Sequence, residues 1–417
     1  MKKLFLLVLP ILTIFSCSDD DDGASVVLPM PTGESKVYQL NSVADPSISG
    51  TATFIENDDN TTTINLQLTG TPDGGMHPAH IHVNSAAEGG PIALTLGTVD
   101  GTTGSSTITT GVLDFGDDDA SNDEPITYDQ LLQYDGYINV HLSASELETI
   151  VAQGDIGENE LTGEEKVYEL GEKDVPGISG TATFSKRING EALAVLDLTG
   201  TIDGAAHPAH IHMNTAAKGG AIAFTFTPVD GTTGMSVSNL ALLDFGDDDD
   251  SNDVPFSYDE LLAYDGYINV HLGPGDDLAT IVAQGDVGQN ELTGETVTYS
   301  LGELDVPGIN GDVIFEERVN GEALATISLV GTIDGATHPA HIHAGSVANA
   351  PGDIIFTFNP VDGTTGVSAT NVTELDDESD FGYQDVLTVD GYVNVHLGPD
   401  ADLATIVAQG NVGANVN

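Results

Sequence analysis

Apolar and polar residues alternate with a period of two through most of this chain, and the pattern runs through three times. In the middle copy, Gly180-Thr181-Ala182-Thr183-Phe184 is rich in β-formers. Ala194-Val195-Leu196-Asp197-Leu198 follows after an Asn189-Gly190 turn, which predicts a hairpin. The third copy repeats this around Asn320-Gly321. Further on, Ala221 to Phe226 leads to an Asp230-Gly231 turn, and Tyr267 to Leu272 alternates without a break. The one helix the pattern predicts in the middle copy runs from Tyr258 to Tyr264 behind Ser257 as N-cap. The prediction is therefore all-β: three tandem antiparallel β-sandwich or barrel domains.

The copies open at Lys36-Val37-Tyr38, Lys166-Val167-Tyr168 and Val297-Thr298-Tyr299. From His77 to His207 is 130 positions and from His207 to His338 is 131. That period exceeds any solenoid repeat, so each copy should carry its own core, like beads on a string. The domains are placed at 36–157, 166–288 and 297–413, with short polar linkers at 158–165 and 289–295.

The string HPAHIH occurs at His77–His82, His207–His212 and His338–His343, and a later strand in each copy ends in His141, His271 or His396. These account for all twelve histidines. On a strand, residues i and i+2 share a face, so His80 and His82 point the same way. Tyr137, Asn139 and His141 likewise share one face, while Ile138 and Val140 turn to the core. If the two strands are neighbours, three imidazoles converge. The candidate metal ligands are His77, His80, His82 and His141, then His207, His210, His212 and His271, then His338, His341, His343 and His396. Imidazole suits copper or zinc. Hydrogen bonding around the barrel rim is the alternative use of the same side chains.

Charge changes the picture of partners. Nine Lys and Arg stand against 66 Asp and Glu, a net charge of −57. Nucleic acid and anionic membrane surfaces would repel such a chain, whereas cations would not. Acidic loops at Asp114–Asp119 with Asp123, and Asp244–Asp250 with Asp253, offer calcium candidates: Asp117, Asp118, Asp119, Asp123, Asp247, Asp248, Asp249 and Asp253. Their spacing fits no EF-hand. The third copy is altered to Glu374-Leu375-Asp376-Asp377-Glu378-Ser379-Asp380.

The single cysteine, Cys17, follows a positive start and a short apolar run from Leu4 to Phe15. That run is too short to span a bilayer and reads as an export signal over residues 1–16. Ile14-Phe15-Ser16-Cys17 resembles the lipobox of bacterial lipoproteins, which implies lipidation of Cys17, although Phe15 is bulkier than usual there. Ser18-Asp19-Asp20-Asp21-Asp22 resembles the acidic tag of surface lipoproteins in Bacteroidetes. Residues 17–35 read as a flexible acidic tether. The expected location is the bacterial outer membrane, lipid-anchored and exposed at the cell surface, with the anchor as the only membrane contact.

GTATF, HPAHIH, a glycine pair such as Gly219-Gly220, and GYINVHL together resemble the CHRD domain, named from chordin, in all three copies. The resemblance implies an extracellular β module, with a protein or glycan as partner. One departure is the ending: IVAQGDIG, IVAQGDVG and IVAQGNVG stand where the family usually has an Arg-containing stretch. His-x-x-His-x-His with a later Val-His also resembles the copper-ligand pattern of Cu/Zn superoxide dismutase. That implies a Greek-key fold and copper ligands at His80, His82 and His141, with matching triads in the other copies. The zinc and bridging histidines of that family have no counterpart, and no Arg follows within the copy. Of the three functions open to the chain, non-enzymatic metal binding comes first. A dismutase-like enzyme, or an adhesion module with structural histidines, are the alternatives.

Overall fold

A computed structural model describes residues 28–247 and 249–416. The export signal, Cys17 and the first part of the tether lie outside the described residues, as do Asp248 and Asn417.

The first unit consists of β1 (Pro31–Ser42), β2 (Ser49–Asn57), β3 (Thr62–Thr69), β4 (Met76–Val83), β5 (Ile92–Asp100) and β6 (Ser105–Thr110). They are followed by the short pair β7 (Val112–Leu113) and β8 (Glu124–Pro125), α1 (Tyr128–Leu131), β9 (Asp135–Ser143) and β10 (Glu146–Gly157). Eight strands close a barrel in the order β1-β10-β9-β4-β5-β6-β3-β2. Leaving β3, the chain skips two places to enter β4. Leaving β6, it crosses back through β7, β8 and α1 to place β9 beside β4. These are Greek-key crossovers.

Alternation sets the inside. Along β3, Thr62, Ile64, Leu66 and Leu68 are buried while the residues between them are not, and Ala192–Thr199 and Ala323–Val330 show the same pattern. Each unit buries its own core: Phe54, Phe184 and Phe315 are centres of three separate apolar clusters.

The second and third units keep the strand order as eight-stranded sheets. Where the first has an unbroken β5, the second has Ile222–Thr225 and Val229–Asp230. Pro228 and Pro360 interrupt the strand at the place of Thr98, since proline cannot donate to the ladder. Side chains take over: Thr227 N–H donates to Ser238 Oγ at 2.9 Å, and Asn359 N–H to Thr370 Oγ1 at 2.9 Å.

The predicted helix is present at Tyr258–Leu262, shorter at its end. Ser257 Oγ caps Glu260 N–H, and the Glu260 carboxylate answers on Ser257 N–H. Two boundaries differ from expectation. The tether stops early, because Met30 N–H bonds Asp58 and Pro31 already pairs with Asn57. The linkers shrink to tight turns, with β10 ending at Gly157 and the next strand beginning at Leu161. Gly157 turns the chain at φ 60°, where a Cβ would stand 2.0 Å from the Tyr134 carbonyl oxygen. Nor are the units loose beads: Arg187 of the second reaches Asp155 of the first.

Phe184 is fully buried against Tyr168 and Phe226. Phe184→Ala should cost about 3–5 kcal/mol. Because the cores are separate, hydrogen exchange should accelerate in residues 161–288 while the other two barrels keep their protection.

Candidate metal centre

Strands β4 and β9 run antiparallel, with His80 opposite Asn139 and His82 opposite Tyr137. His80, His82 and His141 therefore share the outward face, while Ile81, Ile138 and Val140 are fully buried inside. Irregularities flank the pair on both sides. Across to β5, Ile81 meets Leu94 but His82 meets Ile92. Across to β10, Val140 meets Ala152 but His141 meets Ile150. Each leaves one extra residue, a bulge that bends the strand and re-aims the side chains.

The result is a triad in every unit: His80, His82 and His141; His210, His212 and His271; His341, His343 and His396. One ring nitrogen from each histidine lies within 4.8 Å of the other two. The ring centres of His80 and His141 are 5.1 Å apart, and Tyr137 stacks on His82 at 5.0 Å.

Backbone carbonyls choose the tautomers. His82 Nδ1–H donates to the Gly90 carbonyl at 2.9 Å and His141 Nδ1–H to that of Leu147 at 2.5 Å. The counterparts are Gly220 and Leu278, then Gly352 and Leu403. A carbonyl only accepts, so the proton sits on Nδ1 and the Nε2 lone pair faces the centre. His80 Nδ1 lies 3.1 Å from His141 Nε2 and donates to it; His210 does the same to His271 at 3.2 Å. In the third unit, His341 Nδ1, His343 Nε2 and His396 Nε2 are all buried without a partner. The inward donor set is thus one Nδ1 and two Nε2, the arrangement a borderline cation takes.

Burial keeps the first and last ring of each triad neutral. It is the first cause that pushes His80, His210 and His341 down to about 4. Neighbouring imidazoles add to it, while Asp114, Asp244 and Asp376 oppose it. Burial likewise lowers His141, His271 and His396. Neutral imidazole is the form that binds metal.

Two groups of candidates lie apart from the triads. His77, His207 and His338 stand outside the triads. They are buried, and Nδ1 of each bonds the backbone carbonyl of His141, His271 or His396 at 3.1–3.2 Å. The alternation runs on through Pro78 and its counterparts and puts these histidines in step with the buried Ala79 and Ile81, on the face opposite His80 and His82, where they clamp the two strands together. Among the described residues, the aspartates of the acidic loops do not gather on a point either. Asp117 accepts from Asp119 N–H and Asn122, and Asp119 from Ser121; Asp247 and Asp249 repeat this. Short aspartate side chains cap their own loop, and like charges keep apart. Asp118 is exposed and Asp123 half-exposed. Around Asp253, loss of solvent and then four neighbouring aspartates raise its pKa. Among the described residues the histidine triads are the clusters placed to hold a cation.

One residue escaped the sequence reading. Asp114 accepts from the N–H of Thr95, which pairs with His80, and its charge favours the protonated ring. It opens the acidic run and looked like part of it. The available signal was its persistence as Asp114, Asp244 and Asp376 while the rest of the loop changed in the third copy.

Fold and triads together define an all-β protein whose modules each present a histidine cluster, as fits a β-domain binding protein. Residues 31–146, most of the first barrel, match the model of the CHRD domain family, which is consistent with a CHRD-domain protein, and the match contains His77, His80, His82 and His141. No curated protein and no solved structure matches the chain.

The lowered histidines carry a pH signature. Unfolded, His80, His210 and His341 take up protons as pH falls through about 6.5; folded, they resist until about 4. The metal-free chain should lose stability through that window and gain nothing from these groups above it. Urea midpoints from pH 8 to 4 check this: the loss should be shallower in H80Q/H210Q/H341Q than in the unsubstituted chain.

Proposed function

We propose that the chain is a non-enzymatic binding lipoprotein whose three units are all CHRD domains, each holding one copper or zinc ion on its histidine triad. The observation that carries this reading is the set of unpartnered inward nitrogens at His341, His343 and His396. Leaving a buried polar atom without a partner is costly, and a cation relieves the cost at three atoms together. The extension to the second and third units is supported by the shared strand order, triads and carbonyl partners. Three neutral imidazoles leave further coordination positions for water or an outside ligand. Turnover of superoxide is disfavoured by the net charge of −57, which would slow the approach of any anion.

Untagged protein reconstituted with copper(II) or zinc(II) and desalted should retain three ions per chain by elemental analysis, one for each triad. H82A/H212A/H343A should retain almost none while keeping its β-sheet circular dichroism. An unsubstituted chain that stays metal-free after reconstitution would refute the proposal.

Export and anchoring belong to the same reading: Cys17 carries the lipid, and the acidic stretch behind it holds the barrels off the outer surface. In cells fed a labelled fatty acid, the chain should incorporate label and lose it in Cys17→Ser. An unlabelled chain would remove the anchor and leave the metal question untouched.

A further inference from the structure

The contacts between successive units are built from residues that change identity at the two ends of the chain. At the first junction, Arg187 is fully buried. Its Nη1 donates to Asp155 Oδ2 at 2.6 Å and to the Asn159 carbonyl at 2.5 Å, both on the preceding side. Its Nε donates to Asn239 Oδ1 within its own unit, and Asn239 in turn bonds Glu191. The second junction repeats every part. Arg318, also buried, meets Asp286 at 2.7 Å, the Asn290 carbonyl and Asn371, with Glu322 behind. Backbone bonds reinforce each: Ile188 and Asn189 N–H donate to Glu160 and Glu158 carbonyls, and Val319 and Asn320 N–H to those of Glu291 and Gln289.

The first unit has no predecessor among the described barrels, and the position of Arg187 and Arg318 is there Asn57. Asn57 is satisfied locally by Thr61 and Thr63, and Thr61 and Thr109 stand where the other units have Glu and Asn. At the far end, the position of Asp155 and Asp286 is Asn411. The carboxylates have two tasks. Oδ1 accepts a loop N–H, from Ala86 or Ala216, and Oδ2 faces the next unit's arginine. Asn411 keeps the first task, accepting from Val347 N–H at 2.9 Å, and gives up the second. A buried guanidinium or carboxylate left alone is strongly destabilising, so the charged forms fit only where a partner unit exists.

We infer that the arginine on the leading face of a unit and the aspartate on the trailing face of the one before form a directional coupling between barrels. Asparagine at positions 57 and 411 leaves that charge pair out of the leading face of the first described unit and the trailing face of the third, and the two junctions between them hold the three units as one stiff array. The interaction surface is the trailing face of a unit, and its partner is the next unit of the same chain. Asn411 shows that an asparagine at 155 can keep the loop bond, and R187N removes the arginine that crosses the junction, so D155N/R187N uncouples one junction.

The test is a spin-label distance distribution in the full chain on a Cys17→Ser background, with labels at the exposed Thr103→Cys and Thr233→Cys. The coupled chain should give one narrow distribution, and D155N/R187N should give one roughly twice as wide, as expected for modules free to move about a linker. A broad distribution before uncoupling overturns the inference, whatever the variant does. So does a distribution equally narrow in the variant. Metal content is not read, so neither outcome depends on the triads binding an ion.

Discussion

The antiparallel pairing of β4 with β9 is the contact on which the rest of each unit depends. It joins residues about sixty positions apart in the first two units, and the Greek-key return through β7, β8 and α1 exists to make it. The same register buries Ile81, Ile138 and Val140 and turns three histidines outward, so core and site cannot be separated. A one-residue slip would bury the imidazoles and expose the isoleucines.

Rigidity of the triad comes from neighbours outside it. Carbonyls of Gly90 and Leu147 fix two tautomers, and His77 ties β4 to the backbone at His141. Burial then lowers the proton affinity of His80 and His141, a cost to the metal-free fold and an advantage to a cation competing with protons. The acidic surface contributes attraction at long range, while Asp114 is the carboxylate whose charge reaches His80.

Much of this was legible in the sequence because period-two alternation reports strand faces directly. Gly180–Phe184, the Asn189-Gly190 turn, the Ser257 cap and the outward pairing of His80 with His82 all follow from local chemistry. What local chemistry could not supply was anything set by partners distant in sequence. His77 looked like a fourth ligand, and only the folded chain shows it lying apart from the triad of His80, His82 and His141. The aspartates of the acidic loops looked like a cation site because their hydrogen bonds to Ser121 and Asn122 leave no trace in composition. Asn57 and Asn411 drew no notice, since their meaning lies only in comparison with Arg187, Arg318, Asp155 and Asp286.

Both junctions use the same atoms at nearly the same distances, so the step from the first unit to the second is built like the step from the second to the third. The triads, one to a unit, are thereby repeated at an interval that depends on the turn at Glu158–Glu160 and its repeat. Any surface that engages two of them must match that interval, and one that does gains the effective concentration of a tethered site. The chain is in this sense a graduated scale as much as a set of sites.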